Sequence, residues 1–359
     1  MSSTTINFAQ NLTLKQAANL LLRVPTVRFF LQGEPGIGKS SIMATMKKEL
    51  PGHAFGYIDC STLDLGDAGM PMVNLEEAVT YYAPNARFNL SKHSKQPVCI
   101  MLDEFTKAME PVKNMLHPLL EAHNPRLGDI PLPPGSIVFL TGNLSSDGVG
   151  DSMKAHSRNR VTVIPVRKPS ADEWVEWAVN NDVDPSVMAW VNRFPHSMAS
   201  YTDGGQDENP YIFNPRKVQP AFVSPRSLEK ASDIVKQRST MDDISLIVAL
   251  AGTVGEAAAR DMQAFIEYQD QLPAWDNILS NPKTAPVPNS PGACAVLVFG
   301  AIAKMDKSSM PSFMSYLERF EAEWQATFCI NMAKTPSKQQ VAFSCKSFAD
   351  WVAKNEDIL

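Results

Sequence analysis

A chain of 359 residues is long enough for two or three domains, and 44% hydrophobic with 20% charged residues is the balance of an ordinary globular protein. The formal net charge of −5 offers no global basic field and weighs against a dedicated nucleic-acid binder, although a local basic strip stays compatible with it. Five scattered cysteines (Cys60, Cys99, Cys294, Cys329 and Cys345) lack zinc-site or redox-dithiol spacing and are expected as reduced, buried thiols. Residues 1–7 have neither a basic start nor an apolar stretch, so no leader is expected there. No apolar run nears the ~20 residues of a membrane span. A cytosolic protein with no membrane partner is the expectation.

In chain order, Thr13 is placed to cap a helix over 13–23, with Leu14, Ala17, Ala18 and Leu21 on one face. The apolar strand 27–32 then runs into Gly33-Glu34-Pro35-Gly36-Ile37-Gly38-Lys39-Ser40, and a helix over 40–50, opening with Ser40 and Ser41, ends at Pro51-Gly52. Strands are expected at 57–60 and 98–104, separated by a loop-rich insert over 65–82 with a short helical pattern at 75–79. A helix over 110–123, a small hairpin over 126–132, and strands at 137–140 and 161–166 follow. Short apolar strands alternating with helices imply a parallel sheet covered on both faces.

After residue 168 the pattern turns helical. Helices are expected over 170–194, 224–239 and 241–268, with Ser170 and Ser224 as N-caps. The domain reading is a nucleotide-binding core over 1–168, a helical lid over 169–270, a Pro-rich linker or loop over 271–291 and a helical extension over 292–359. The apolar stretch 293–305 reads as a buried helix.

Five groups of residues carry chemistry. Gly33-x4-Gly38-Lys39-Ser40 lies between a strand and a helix, so its backbone N–H groups and the helix N-terminus can cradle phosphates. Lys39 would reach the β- and γ-phosphates and Ser40 would ligate Mg²⁺. Four apolar residues precede Asp103 and Glu104, which places both acids at the carboxyl end of a buried strand, where open α/β sheets bind ligands. Asp103 would hold Mg²⁺ through its water shell, and Glu104 would polarise an attacking water. Asn143, ending the next strand, could bond a γ-phosphate or that water. Arg158 and Arg160 precede a strand as arginine-finger candidates for a neighbouring subunit. Arg226 opens a helix whose Pro225 fixes the first turn.

In this order the five groups resemble the AAA+ ATPases, and their spacing is most similar to the MoxR-like branch, whose relatives include dynein-type AAA modules. The resemblance covers residues ~10–265. It implies a P-loop NTPase αβα sandwich followed by a helical lid, binding ATP and Mg²⁺. It casts Gly33 to Ser41 as the Walker A segment, Asp103 and Glu104 as Walker B, Asn143 as sensor 1, Arg160 as the arginine finger and Arg226 as sensor 2. It further implies a homo-oligomeric, hexameric ring in the bacterial cytosol or a phage-infected cell. The inserts at 65–82 and 126–132 would face its pore with Met70, Met72, Leu75, Tyr81, Tyr82, Leu127 and Ile130, unless these simply pack the loops down. The leading expectation for function is an ATP hydrolase remodelling a protein substrate, in the manner of a chaperone with a separate von Willebrand A domain partner. A nucleic-acid-dependent motor is the alternative, kept open by Lys92, His93, Lys95 and Arg126. A switch that binds ATP but scarcely hydrolyses it is a third.

Overall fold

The computed structural model describes residues 11–144, 153 and 155–355, with residues 155 and 156 through their backbone alone; the absence of a leader expected at residues 1–7 lies outside them. The chain divides into two units, Met1–Lys168 and Pro169–Leu359.

In the first unit, α1 (Leu14–Arg23) starts where Thr13 accepts from Gln16 N at 3.0 Å and the Gln16 side chain returns to Thr13 N at 2.9 Å. There follow β1 (Phe29–Gln32), α2 (Ile42–Glu49), β2 (Ala54–Asp59), α3 (Leu65–Ala68), β3 (Met70–Asn74), β4 (Val79–Ala83), β5 (Val98–Asp103) and α4 (Glu110–Leu116). Then come β6 (Arg126–Leu127), β7 (Ile130–Pro131), β8 (Ile137–Gly142), α5 (Ala155–Arg158) and β9 (Thr162–Pro165). One parallel sheet holds five strands in the order β2-β5-β8-β1-β9.

Alternate residues of the central strands serve opposite layers. Phe30, Ile100, Leu102, Val138 and Leu140 pack with Ala68 of α3 and with Val112 and Leu116 of α4. Their neighbours Phe29, Leu31, Cys99, Met101, Ile137 and Phe139 pack with α1 and α2 through Ala17, Leu21, Ile42 and Met46. A strand buried on both faces reads as an unbroken apolar run, and this is why β5 was recognisable from its residues. The first unit is thus a P-loop NTPase αβα sandwich, with β1 at the point where the strand order reverses.

Two local expectations are corrected. The helical pattern at 75–79 is instead the turn of an antiparallel hairpin that pairs Met70 with Ala83 and Asn74 with Val79. Asn74 Oδ1 accepts from Glu76 N at 3.1 Å and Glu77 N at 3.3 Å, and this side-chain turn chemistry outweighs four residues of helical spacing. The helix expected to reach residue 123 gives way at His117-Pro118 to a 3-10 turn, His117–Leu120, because Pro118 has no N–H to donate. The hairpin expected over 126–132 forms as β6 and β7, and it is joined to the first hairpin. Tyr82 N donates to Asp129 Oδ2 at 2.7 Å, and Asp129 N donates to Tyr82 O at 3.2 Å.

The second unit is helical: α6 (Ala171–Val179), α7 (Pro185–Arg193), α8 (Pro225–Lys236), α9 (Asp243–Val254), α10 (Glu256–Asp270), α11 (Trp275–Ser280), α12 (Pro291–Lys304), α13 (Met310–Leu317), α14 (Ala322–Lys334), α15 (Pro336–Phe343) and α16 (Lys346–Lys354). Ser170 and Ser224 cap α6 and α8. The single helix expected over 170–194 is two, broken where Asp182 turns left-handed (φ 54°) before Pro185. The one over 241–268 breaks at Gly255 (φ 91°).

One core runs through the unit, from Trp174 and Trp190 to Phe299, Phe313, Phe328 and Phe348. Residues expected in a lid, a linker and an extension therefore contribute to the same core. The Pro-rich stretch is pinned to it: Tyr316 Oη donates to Pro286 O at 2.5 Å, and Arg319 to Pro282 O at 3.0 Å and Ala285 O at 2.7 Å. Among the described residues no helix is long and apolar enough to cross a membrane. All five cysteines are free and buried.

All six tryptophans lie beyond residue 168, so tryptophan fluorescence reports on this unit alone. Phe348→Ala is expected to lower its unfolding free energy by about 3–5 kcal/mol in a denaturant titration followed at that signal. An independently folded tail would instead split the transition, with the part reported by Trp174, Trp177, Trp190 and Trp275 unmoved.

Candidate nucleotide-binding site

The parallel register brings the carboxyl ends of β1, β5 and β8 side by side: Gln32 lies opposite Gly142, Leu102 opposite Leu140, and Asp59 of β2 opposite Asp103. Residues 33–41 leave β1 at this edge. Gly38 takes φ 99°, a conformation that side chains resist, and opens the 3-10 turn Lys39–Ser41 that leads into α2. Ser41 Oγ donates back to Gly38 O at 2.7 Å. Gly33 passes so close to the end of β9 that a Cβ there would lie 2.5 Å from Val166 O and 2.6 Å from Ile37 Cδ1. Glu34 and Ile37 are buried beneath the turn, whereas Pro35 and Gly36 are half-exposed.

Lys39 is buried, and its Nζ donates to Gly33 O at 2.7 Å, Glu34 O at 2.8 Å and Asn143 Oδ1 at 3.1 Å. The three donors of the ammonium group are thus met by oxygens, two of them carbonyls of the turn itself. Asn143 in turn donates through Nδ2 to both Glu104 oxygens at 3.3 Å. Lys107 Nζ closes on Glu104 Oε2 at 3.0 Å. Glu104 itself sits at φ 52°, a costly conformation for a residue with a side chain and one that clusters at working sites. Asp103 accepts from Ser40 Oγ at 3.2 Å, from Tyr57 Oη at 2.5 Å, from Glu104 N at 3.2 Å and from the Thr141 hydroxyl.

Burial is the chief cause that pushes the Tyr57 phenol up to about 12, with its hydrogen bond to Asp103 next. Burial likewise raises the Cys60 thiol, helped by the charges of Asp103 and Asp59. Neither group ionises near neutrality.

Residues 33–41, Asp103, Glu104 and Asn143 thus meet at one edge. Arg160 does not join them. It precedes β9, whose Thr162 pairs with Phe29 at the start of β1, so it lies at the opposite end of the sheet and is exposed. The separation along the strands is about 15 Å, more than a side chain spans. Arg158 is exposed at the same end, and Arg226 is exposed in the first turn of α8 in the second unit. Of the insert residues, Leu127 and Ile130 are buried and pack the second hairpin down, whereas Met70, Met72, Leu75, Tyr81 and Tyr82 are exposed on the first. Sequence reasoning missed Tyr57, Thr141 and Lys107. Only Thr141 carried a signal, as a polar residue closing an apolar strand beside Gly142-Asn143.

No protein-family model matches the chain, and no curated protein matches it. Solved structures align with it at low identity. NtrX from Brucella abortus, in complex with ADP, is 13% identical over 96% of this chain and 67% of its own, with TM-score 0.40. The Thermotoga maritima RuvB Holliday junction branch migration motor is 14% identical over 85% and 86%, with TM-score 0.38. Hsp104 in a closed state with casein is 14% identical over 71% and 43%, with TM-score 0.36. Likeness at this level says nothing of function, and the fold is read from the strand order and the turn after β1.

Gly33→Ala should force the turn away from β9 at a cost of about 1–3 kcal/mol. The expected result is a roughly fivefold or larger rise in the Kd for ADP by equilibrium titration; unchanged affinity would mean that the turn does not form the binding surface.

Proposed function

We propose that this chain is a Mg²⁺-dependent ATPase of the AAA+ class, acting as a homo-oligomeric ring on a protein substrate. The observation that carries the reading is the continuous chain of contacts Lys39–Asn143–Glu104, beside Ser40–Asp103, at the carboxyl edge of the sheet. It joins an anion-binding lysine to a carboxylate able to take a proton from water. The oxygen donors Ser40 and Asp103 suit a hard cation, and Mg²⁺ held there would supply positive charge to offset that of the phosphates. Lys39 would neutralise the terminal phosphates, Asn143 would orient the attacking water, and Glu104 would accept its proton.

The position of Arg160 supports assembly. An arginine at the far end of the sheet cannot serve its own phosphate turn, but it can serve a neighbour's. Arg226, in the helical unit, is assigned to report nucleotide state to that unit. A MoxR-like chaperone, hexameric and paired with a separate von Willebrand A domain protein, remains the specific form of the proposal.

Charge on the first hairpin favours a polypeptide over a nucleic acid. The hairpin itself carries Glu76 and Glu77 and no Lys or Arg, while Met70, Met72, Val73, Leu75, Val79, Tyr81 and Tyr82 are exposed. An acidic, apolar surface repels phosphate backbones and suits apolar or basic chain segments. The exposed Lys92, His93 and Lys95 nearby favour the second reading, a nucleic-acid-dependent motor. ATPase rates with and without DNA, RNA and unfolded proteins at two salt concentrations separate the two. Stimulation by nucleic acid that fades with salt would overturn the first.

Glu104→Gln is expected to keep ATP binding and to lower turnover about a hundredfold or more, measured as phosphate release beside a binding titration. Arg160→Ala should lower turnover by about a thousandfold with ATP affinity largely kept. Wild-type turnover in that variant would remove the role in trans.

A further inference from the structure

We infer that the Tyr57 hydroxyl is a latch on Asp103 that a hydrated Mg²⁺ must displace, so that Tyr57 sets how much Mg²⁺ the nucleotide site requires. The inference rests on reading residues 33–41 and Asp103 as a phosphate and cation site. A carboxylate offers about four lone-pair positions. On Asp103, Oδ1 accepts from the Thr141 hydroxyl and from Glu104 N, and Oδ2 accepts from Ser40 Oγ and Tyr57 Oη. Every position is taken, so a water donating from a cation's shell needs one of these donors to leave.

The four are not equally free to do so. Thr141 is fully buried in β8, and Glu104 N is backbone held in the turn after β5. Ser40 can give a lone pair to a cation while its proton still points at Asp103, so it frees nothing. Tyr57 stands on β2, the edge strand of the sheet, and is 49% exposed. Its ring can swing outward without opening the core. Its bond to Oδ2, at 2.5 Å, is the short, charge-assisted kind that resists displacement.

The test is equilibrium binding of a fluorescent ADP to the full chain, in EDTA and across a Mg²⁺ series, for the wild type and for Tyr57→Phe. The expected result is unchanged affinity in EDTA and a fall of about tenfold in the Mg²⁺ concentration giving half-maximal enhancement, the scale of one hydrogen bond to a charged group. An unchanged or increased Mg²⁺ requirement overturns the latch. A change confined to EDTA affinity, in Tyr57→Phe or in Tyr57→Leu, assigns the residue to packing and also overturns it. A wild-type chain that binds no ADP under either condition sinks the phosphate-site reading and the latch with it.

Discussion

Parallel pairing of β1, β5 and β8 is the constraint from which the site follows. Strands that run the same way end at the same edge, and their registers set Gly142 beside Gln32 and Asp103 beside Asp59. Residues separated by more than a hundred positions, such as Lys39 and Asn143, thereby come within a hydrogen bond of each other. The same pairing places whatever precedes β9 at the other edge. One geometric rule therefore gathers the lysine, the two acids and the asparagine, and excludes Arg160. That exclusion is the geometric ground for the proposed role of Arg160 in trans.

Burial then gives these contacts their strength. Lys39, Asp103 and Asn143 are nearly closed to water, where an unpaired charge would be costly, and each is bonded to protein groups. The layer beneath them is apolar on both faces of the sheet, which keeps the strand ends from shifting. Against that fixed frame Glu104 is held in a left-handed conformation, between Asn143 and Lys107. In the proposed reaction a carboxylate so restrained would lose little on ordering.

The two hairpins show how a small packing choice shapes a surface. Leu127 and Ile130 turn inward, and Asp129 pairs with the Tyr82 backbone, so the short hairpin buttresses the longer one. With that support, β3 and β4 can hold Met72, Val73, Tyr81 and Tyr82 out in water on two strands, which would be marginal if isolated. The apolar residues on this element are carried by a built platform, with acidic residues at its turn.

Much of this protein was legible in its residues alone. The glycine-bearing turn after β1, the unbroken apolar run before Asp103-Glu104, and the caps Thr13, Ser170 and Ser224 depend on neighbours within a few positions, and local chemistry decides them. The same holds for the layered fold, because strands buried on both faces and helices between them leave few other packings. What tertiary structure alone decided depends on contacts distant in sequence. Nothing near Tyr57 marks it as a partner of Asp103; the register of β2 against β5 does. Nothing at 126–132 tells that Leu127 faces inward, and nothing between 271 and 359 tells that the Pro-rich stretch and the tail share the core of the preceding helices. The turn after β1 could be read as a phosphate site from nine residues, but the partners that hold its lysine and its aspartate were set by which strands lie side by side.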